Sequence, residues 1–263
     1  MSAELPTPPE AGIVREVRDH VGLIIISRPA VRNAVDRATA FEIADAVDSF
    51  EADRAVRAIV IAGSGGFFCA GMDLKALAAT GQGPVTPTRG AFGIVEKPPA
   101  KPFIAAVEGA ALGGGLEIAL AADLVVVADD AKLGLPEVAR GLIAGAGGVF
   151  RLPNRIPRAL ALEMMLTGKP ITAQRAYDIG LVNDVVPAGK ALTRAVEVAN
   201  EIAANAPIAL RASKAIAIRS THWRDEEAFA LQRPLADVVR ESADAAEGAK
   251  AFIEKRSPVW QDC

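Results

Sequence analysis

The sequence predicts an α/β protein, and three observations predict it. Between Lys101 and Asp123 an apolar, β-branched run (Phe103 to Val107) breaks through Gly109 into Gly113-Gly114-Gly115. Apolar residues then resume at helical spacing at Leu116, Ala119 and Leu120. A similar unit lies upstream, where Ala58 to Ala62 reads as a buried strand, Gly63 to Gly66 as a turn, and Phe67 to Lys75 as the run into a helix. From Ala191 onward only helical periodicity is present. Strands alternating with helices as far as about residue 186, followed by helices alone, define an α/β core with a helical appendage.

In chain order, residues 1–10 (MSAELPTPPE) are acidic and proline-rich without a charged-then-apolar targeting pattern, and read as a flexible tail. Ile13–Val17 and Val21–Ser27, separated by Asp19-His20, read as a β-hairpin. Thr39–Phe50, with Phe41, Ile43, Ala44, Val47 and Phe50, reads as an amphipathic helix. Residues 81–90 (GQGPVTPTRG) read as a mobile loop controlling access to the site. Leu124–Ala128 is a further buried strand, Lys132–Leu135 a short one, and Val149–Leu152 a short helix after glycine-rich 141–148. Helices are expected over 191–205, 207–221, 225–238 and 242–254, with alanines suited to close packing between subunits. The domain division is therefore a 1–10 tail, an 11–190 core and a 191–263 helical region.

Composition narrows the function. With 51% hydrophobic residues in 263 and no apolar run long enough to span a bilayer, the chain has a sizeable core and no membrane partner. A net charge of −3 without a basic arm argues against nucleic acid. Two cysteines, Cys69 and Cys263, make no disulfide framework and suit a cytoplasmic setting. Ile118 stands where a dinucleotide fingerprint needs its third glycine, and Phe150 does the same after Gly145-Ala146-Gly147. Only two histidines exist, His20 and His222, neither near a glycine turn, so a serine triad or histidine metal site is disfavoured.

Two glycine turns, each at a helix start, and two glutamates 20 positions apart, Glu117 and Glu137, remain. Each turn can present a backbone N–H, and two such donors make an oxyanion hole; losing one typically raises a barrier by about 3 kcal/mol. A helical side chain leans toward its own N-terminus, which brings Glu117 toward the free N–H groups. The plainer alternative is an acid complementing the helix dipole after a tight turn. Leu135, Pro136 and Val138 give Glu137 an apolar setting able to hold a carboxyl protonated, so the two acids can divide acid and base roles.

The segments FCAGMDLK (68–75), AAVEGAALGGGLEIALAAD (105–123) and LGLPEVARGLIAGAGGVFRL (133–152), in this order, resemble the crotonase (enoyl-CoA hydratase/isomerase) family over nearly the whole chain. The resemblance implies a crotonase-like spiral of ββα units with a C-terminal helical trimerisation region, forming a homotrimer or a dimer of trimers. It implies that the Ala70 and Gly114 N–H groups bind the carbonyl of an acyl-CoA thioester, with Glu117 and Glu137 activating water and moving the α-proton. No cofactor is implied, coenzyme A being part of the substrate. Phe252 and Lys255 match positions that reach a neighbouring subunit's coenzyme A. Ala70, Asp73 and Leu74 fall in its binding segment, and Arg28 and Lys101 are phosphate candidates. Met72, Leu77, Phe92, Leu142 and Val149 are candidate acyl-pocket residues. Leu135 stands where hydratases often have glutamine, and Ala144 replaces a usual proline. Hydration of a 2-enoyl-CoA is the favoured activity. Δ3,Δ2-enoyl-CoA isomerase, carnitinyl-CoA dehydratase (suggested by FRLPNRIP and EKRSPVW) and a non-catalytic acyl-CoA- or RNA-binding relative are the alternatives.

Overall fold

A computed structural model describes residues 12–263, so the expected 1–10 tail lies outside the described residues. Strands β1 (Ile13–Arg18) and β2 (Val21–Ile26) pair antiparallel, Ile13 opposite Ile26 and Arg18 opposite Val21. The turn needs a positive φ at Asp19 (51°), a conformation short polar residues tolerate. β1 lies at the sheet edge and is partly exposed, whereas β2 is buried along its length. Helix α1 (Arg37–Ala52) starts where the Asp36 carboxylate accepts the Thr39 N–H at 2.9 Å. Its Ala40, Ile43, Ala44, Val47 and Phe50 face the core.

β3 (Ala58–Gly63) runs parallel to β2, and α2 (Leu74–Thr80) is capped by Asp73, which accepts from the Lys75 and Ala76 N–H groups. Residues 81–90 are no loose loop. β4 (Val85–Thr86) and β5 (Gly90–Ala91) form a small hairpin. Arg89 is 4% exposed and holds the Asp48 carboxylate through Nε (2.9 Å) and Nη2 (2.6 Å), and the Lys97 carbonyl through Nη1 (2.8 Å). Glycine and proline content signalled a loop, but the anchor that fixes it is a side chain on α1, distant in sequence.

β6 (Phe103–Val107), β7 (Ala110–Leu112), α3 (Gly114–Ala121), β8 (Leu124–Ala128) and β9 (Lys132–Gly134) follow. The chain continues through α4 (Gly148–Arg155), α5 (Arg158–Thr167), β10 (Ile171–Thr172), α6 (Ala173–Asp178) and β11 (Asp184–Val186). The main sheet has the order β1-β2-β3-β6-β8-β11, parallel apart from the first hairpin, and a second sheet has the order β10-β9-β7. Strands buried on both faces explain the unbroken apolar runs of β3, β6 and β8.

Helix α7 (Ala191–Ala203) closes one face of the sheet with a stripe of Ala191, Ala195, Ala199 and Ala203 packed near Leu23, Val60, Ile104 and Val126. Side chains this small let the helix lie close on the β-branched surface. α8 (Pro207–Ser220), α9 (Asp225–Arg240) and α10 (Ala243–Glu254) complete the chain within a few residues of the expected boundaries. Lys214 ties α8 to the core, its Nζ 2.6 Å from Asp123 and donating to the Pro99 and Lys101 carbonyls. Buried Asp244 fastens the tail by accepting the Gln261 and Asp262 N–H groups at 2.7 and 3.1 Å. α9 buries no residue in the single chain, leaving Phe229 (74% exposed) and Val238 (58%) uncovered. Among the described residues no helix is long and apolar enough to cross a membrane.

Candidate active site

The Gly113–Gly115 turn meets the upstream unit at Gly71, beyond the expected Gly63–Gly66 turn. The 68–72 segment bridges to β7 through Cys69 and Ala111, and Gly71 takes a φ of 92°. Gly113, with φ 54°, turns β7 into α3. A Cβ on Gly71 would lie 2.8 Å from the Gly114 nitrogen, and one on Gly115 would overlap the Cys69 carbonyl. Backbone meets backbone here, which is why the sequence carries glycine on both sides.

Gly114 is the first residue of α3, so its N–H has no acceptor within the helix, and none is found among the described residues. The other donor differs from the expectation. The Ala70 N–H is already donated to the Arg32 carbonyl at 3.0 Å. Val35 donates to the Gly71 carbonyl (2.8 Å) and accepts from Asp73 N–H (2.9 Å), so the intervening Met72 N–H points the opposite way and has no protein acceptor among the described residues. Met72 and Gly114 are therefore the free pair.

Glu117, fourth in α3, is 3% exposed, and its Oε1 accepts the N–H of Gly148, the first residue of α4, at 2.9 Å. Glu137 begins a 3-10 turn (Glu137–Arg140) after Pro136. Its carboxylate lies against the first glycine turn, since a Cβ on Gly113 would be 3.0 Å from Oε1. The Glu137 Oε2 is buried without a hydrogen-bond partner among the described residues, a rare state for a buried side-chain oxygen.

Burial raises the Glu117 carboxyl to about 7, with the neighbouring Glu137 charge adding to the rise and the Gly148 N–H opposing it. Burial raises Glu137 as well, against the pull of its own N–H and of Arg140. Leu135 (1% exposed) and Ala144 (4%) supply the apolar wall. A Cβ on Gly148 would stand 3.0 Å from Leu135 Cδ1 and 3.2 Å from Glu117 Cγ, so Leu135 and Glu117 both border Gly148.

A stability effect follows. Unfolded, a glutamate titrates near 4.5; folded, Glu117 titrates near 7. Between these values the native state holds a proton the unfolded chain has released, so stability falls as pH rises through the window, by on the order of 3 kcal/mol. Urea unfolding of wild type and Glu117→Gln at about pH 5 and about pH 8 should show wild type losing stability relative to the variant. A pH-independent difference would contradict the environment described.

Two phosphate candidates are otherwise occupied. Arg28 pairs with Asp36 (2.9 Å) and Asp73 (3.1 Å) and donates to the Ala34 carbonyl. Lys101 is 5% exposed and donates to the Phe50 (2.6 Å) and Asp53 (2.7 Å) carbonyls at the negative end of α1. Both roles are internal, and a lone cation in sequence cannot show whether helix carbonyls or a ligand will take it. Asp73 is committed to Arg28 and to capping α2, which leaves Leu74 (46% exposed) as the open residue of that segment.

Phe92 is buried with its ring against Gly114, so that it backs the oxyanion turn. Met72 and Leu77 are half-buried, and Leu142 (48%) and Val149 (37%) are exposed. Phe252 (86% exposed) and Lys255 lie at the end of α10, which packs on α9. Among the described residues no cluster of His, Cys, Asp and Glu could hold a metal ion.

Paired backbone donors beside two desolvated carboxyls are an arrangement able to stabilise an oxyanion while a proton moves next to it. Residues 16–263 match the family model described as enoyl-CoA hydratase/isomerase. The chain is 42% identical over 246 residues to a carnitinyl-CoA dehydratase of Proteus mirabilis, covering 90% of this chain and 94% of that protein. It is 39% identical over 269 residues to the enoyl-CoA hydratase EchA19 of Mycobacterium tuberculosis, covering 99% of each. A crystal structure of an enoyl-CoA hydratase from Mycobacterium tuberculosis superposes with a TM-score of 0.93 at 47% identity, over 96% of this chain and 99% of that one. The chain belongs to the enoyl-CoA hydratase/isomerase family and has the crotonase fold.

Proposed function

We propose that the protein is an enoyl-CoA hydratase, adding water reversibly and syn across a 2-trans-enoyl-CoA to give a 3-hydroxyacyl-CoA. The observation that carries this reading is the placement of Glu117 and Glu137 around the turn whose Gly114 N–H is free. The thioester oxygen lies between the Met72 and Gly114 N–H groups and takes the enolate charge. One carboxylate, ionised, accepts a proton from water as the oxygen bonds to C3. The other, protonated, delivers its proton to C2 as the enolate collapses. Water supplies every atom added, and no cofactor beyond the substrate's own coenzyme A takes part.

The assembly we propose is a trimer or a dimer of trimers, with 191–263 forming the contacts and 11–190 the catalytic core. The uncovered apolar residues of α9 support a subunit interface there, and Phe252 and Lys255 would reach a neighbour's nucleotide. A carnitinyl-CoA dehydratase is the second reading, favoured by the 42% identity to a protein of that name. Product analysis with 2-enoyl-CoA, 3-enoyl-CoA and crotonobetainyl-CoA tests the proposal. Conversion of the first to 3-hydroxyacyl-CoA in preference to the others supports hydratase, whereas turnover of crotonobetainyl-CoA or of 3-enoyl-CoA alone supports the dehydratase or the isomerase.

A further inference from the structure

Arg151, one turn into α4, makes no hydrogen bond to either glutamate among the described residues, yet it joins the parts that hold them. Its Nη2 donates to the Val95 carbonyl at 2.7 Å and its Nη1 to the Ala146 carbonyl at 3.4 Å. The guanidinium folds back over Gly147, where φ is 105° and a Cβ would overlap Nη1, and its centre is 5.2 Å from the Phe150 ring centroid. One helix residue is thus fixed on both sides of a left-handed glycine.

The two anchored segments have separate duties. Ala146-Gly147 leads into Gly148, whose N–H holds Glu117. Val95 ends the Phe92–Val95 run, in which Phe92 takes a strained φ of 56° and presses its ring against Gly114. Nothing else in the α4 start reaches that run by a side-chain hydrogen bond among the described residues. We propose that Arg151 is a positioning residue that locks the turn holding the Glu117 carboxylate to the segment that backs Gly114. This inference rests on the hydratase reading for its kinetic part only.

The charges around Glu117 are few. Glu137 faces it from the 3-10 turn and disfavours its ionisation, and Arg151 faces it from α4 and favours ionisation; Arg140 acts on Glu137, and Glu96 faces Arg151. Arg151, with the Gly148 and Ala146 N–H groups, opposes the carboxylate neighbour and the burial, so removing its charge moves Glu117 upward.

The test is an NMR titration of protein with carbon-13-labelled glutamate carboxyls, the Glu117 signal being assigned with Glu117→Gln. In Arg151→Met the Glu117 midpoint should rise by roughly half a unit or more. The kcat for 2-enoyl-CoA should fall about tenfold while KM changes little, as expected when the reacting groups are misplaced but the ester still binds. Arg151→Lys keeps the charge but not the forked contact, so it should restore the midpoint and leave kcat depressed. An Arg151→Met protein titrating and turning over as wild type overturns the proposal. If Arg151→Met does not fold, Arg151→Lys decides: a reduced kcat at an unchanged midpoint supports the proposal, and a wild-type kcat overturns it. A wild type that hydrates no enoyl-CoA defeats the hydratase reading alone, because the Glu117 titration is read without turnover.

Discussion

Replacing Glu137 by glutamine leaves a folded protein whose kcat for enoyl-CoA hydration falls by roughly 10²- to 10⁴-fold, the range a positioned acid or base contributes. The fold should tolerate the change well. Among the described residues Glu137 makes no side-chain hydrogen bond to another residue, and its Oε2 is buried without a partner, so the amide breaks no contact between segments and removes a desolvated acid. KM should stay within a few-fold, because on the proposed mechanism Glu137 contributes to the transition state rather than to binding the ester. Steady-state kinetics with a thermal melt on the same sample checks both halves. Wild-type kcat in the variant would remove Glu137 from the chemistry.

Gly114→Ala should be nearly as severe, lowering kcat by roughly 10²- to 10³-fold, the typical cost of losing one oxyanion donor. The added methyl has no room, since it would overlap the Phe92 ring. That ring is 5% exposed on a left-handed backbone and cannot swing away without opening the core. The start of α3 must move instead, carrying the Gly114 N–H with it. The sharper form of the prediction is a rescue. Phe92→Leu, made together with Gly114→Ala, removes the overlapping ring atoms and should recover part of the lost kcat. If the double variant were no better than Gly114→Ala, the steric account of Gly114 would fail.

Much of this architecture was legible in the residues themselves, because it rests on local pattern. Period-two and unbroken apolar runs marked β1, β2, β3, β6 and β8, and alanine-rich helical spacing marked α7 to α10 close to their observed bounds. The glycines at 113–115 signalled backbone that ordinary residues avoid, and Gly113 takes the positive φ. Glu117 stood out by its place after that turn, and Glu137 by the apolar Leu135, Pro136 and Val138 around it.

What escaped was set by contacts between distant segments. The 81–90 stretch has loop composition, but Asp48 on α1 neutralises and orders Arg89. Lys101 looked like a free cation until α1 delivered two carbonyls to it. The choice between Ala70 and Met72 turned on which N–H the Arg32 and Val35 backbones leave free, a matter of pairing across the chain that no short motif displays. Arg151 carried no chemical signature at all, because its role depends on Val95 and Ala146 lying on either side of it.

The most direct measurement is the decay of the ultraviolet band of the conjugated enoyl thioester when the protein is mixed with a short 2-enoyl-CoA, for wild type, Glu117→Gln and Glu137→Gln. A fast decay in wild type, slowed at least about 100-fold in each variant, is the expected result. Decay at a wild-type rate in either variant would contradict the division of acid and base work between the two glutamates, and no decay in wild type would contradict hydration of that substrate.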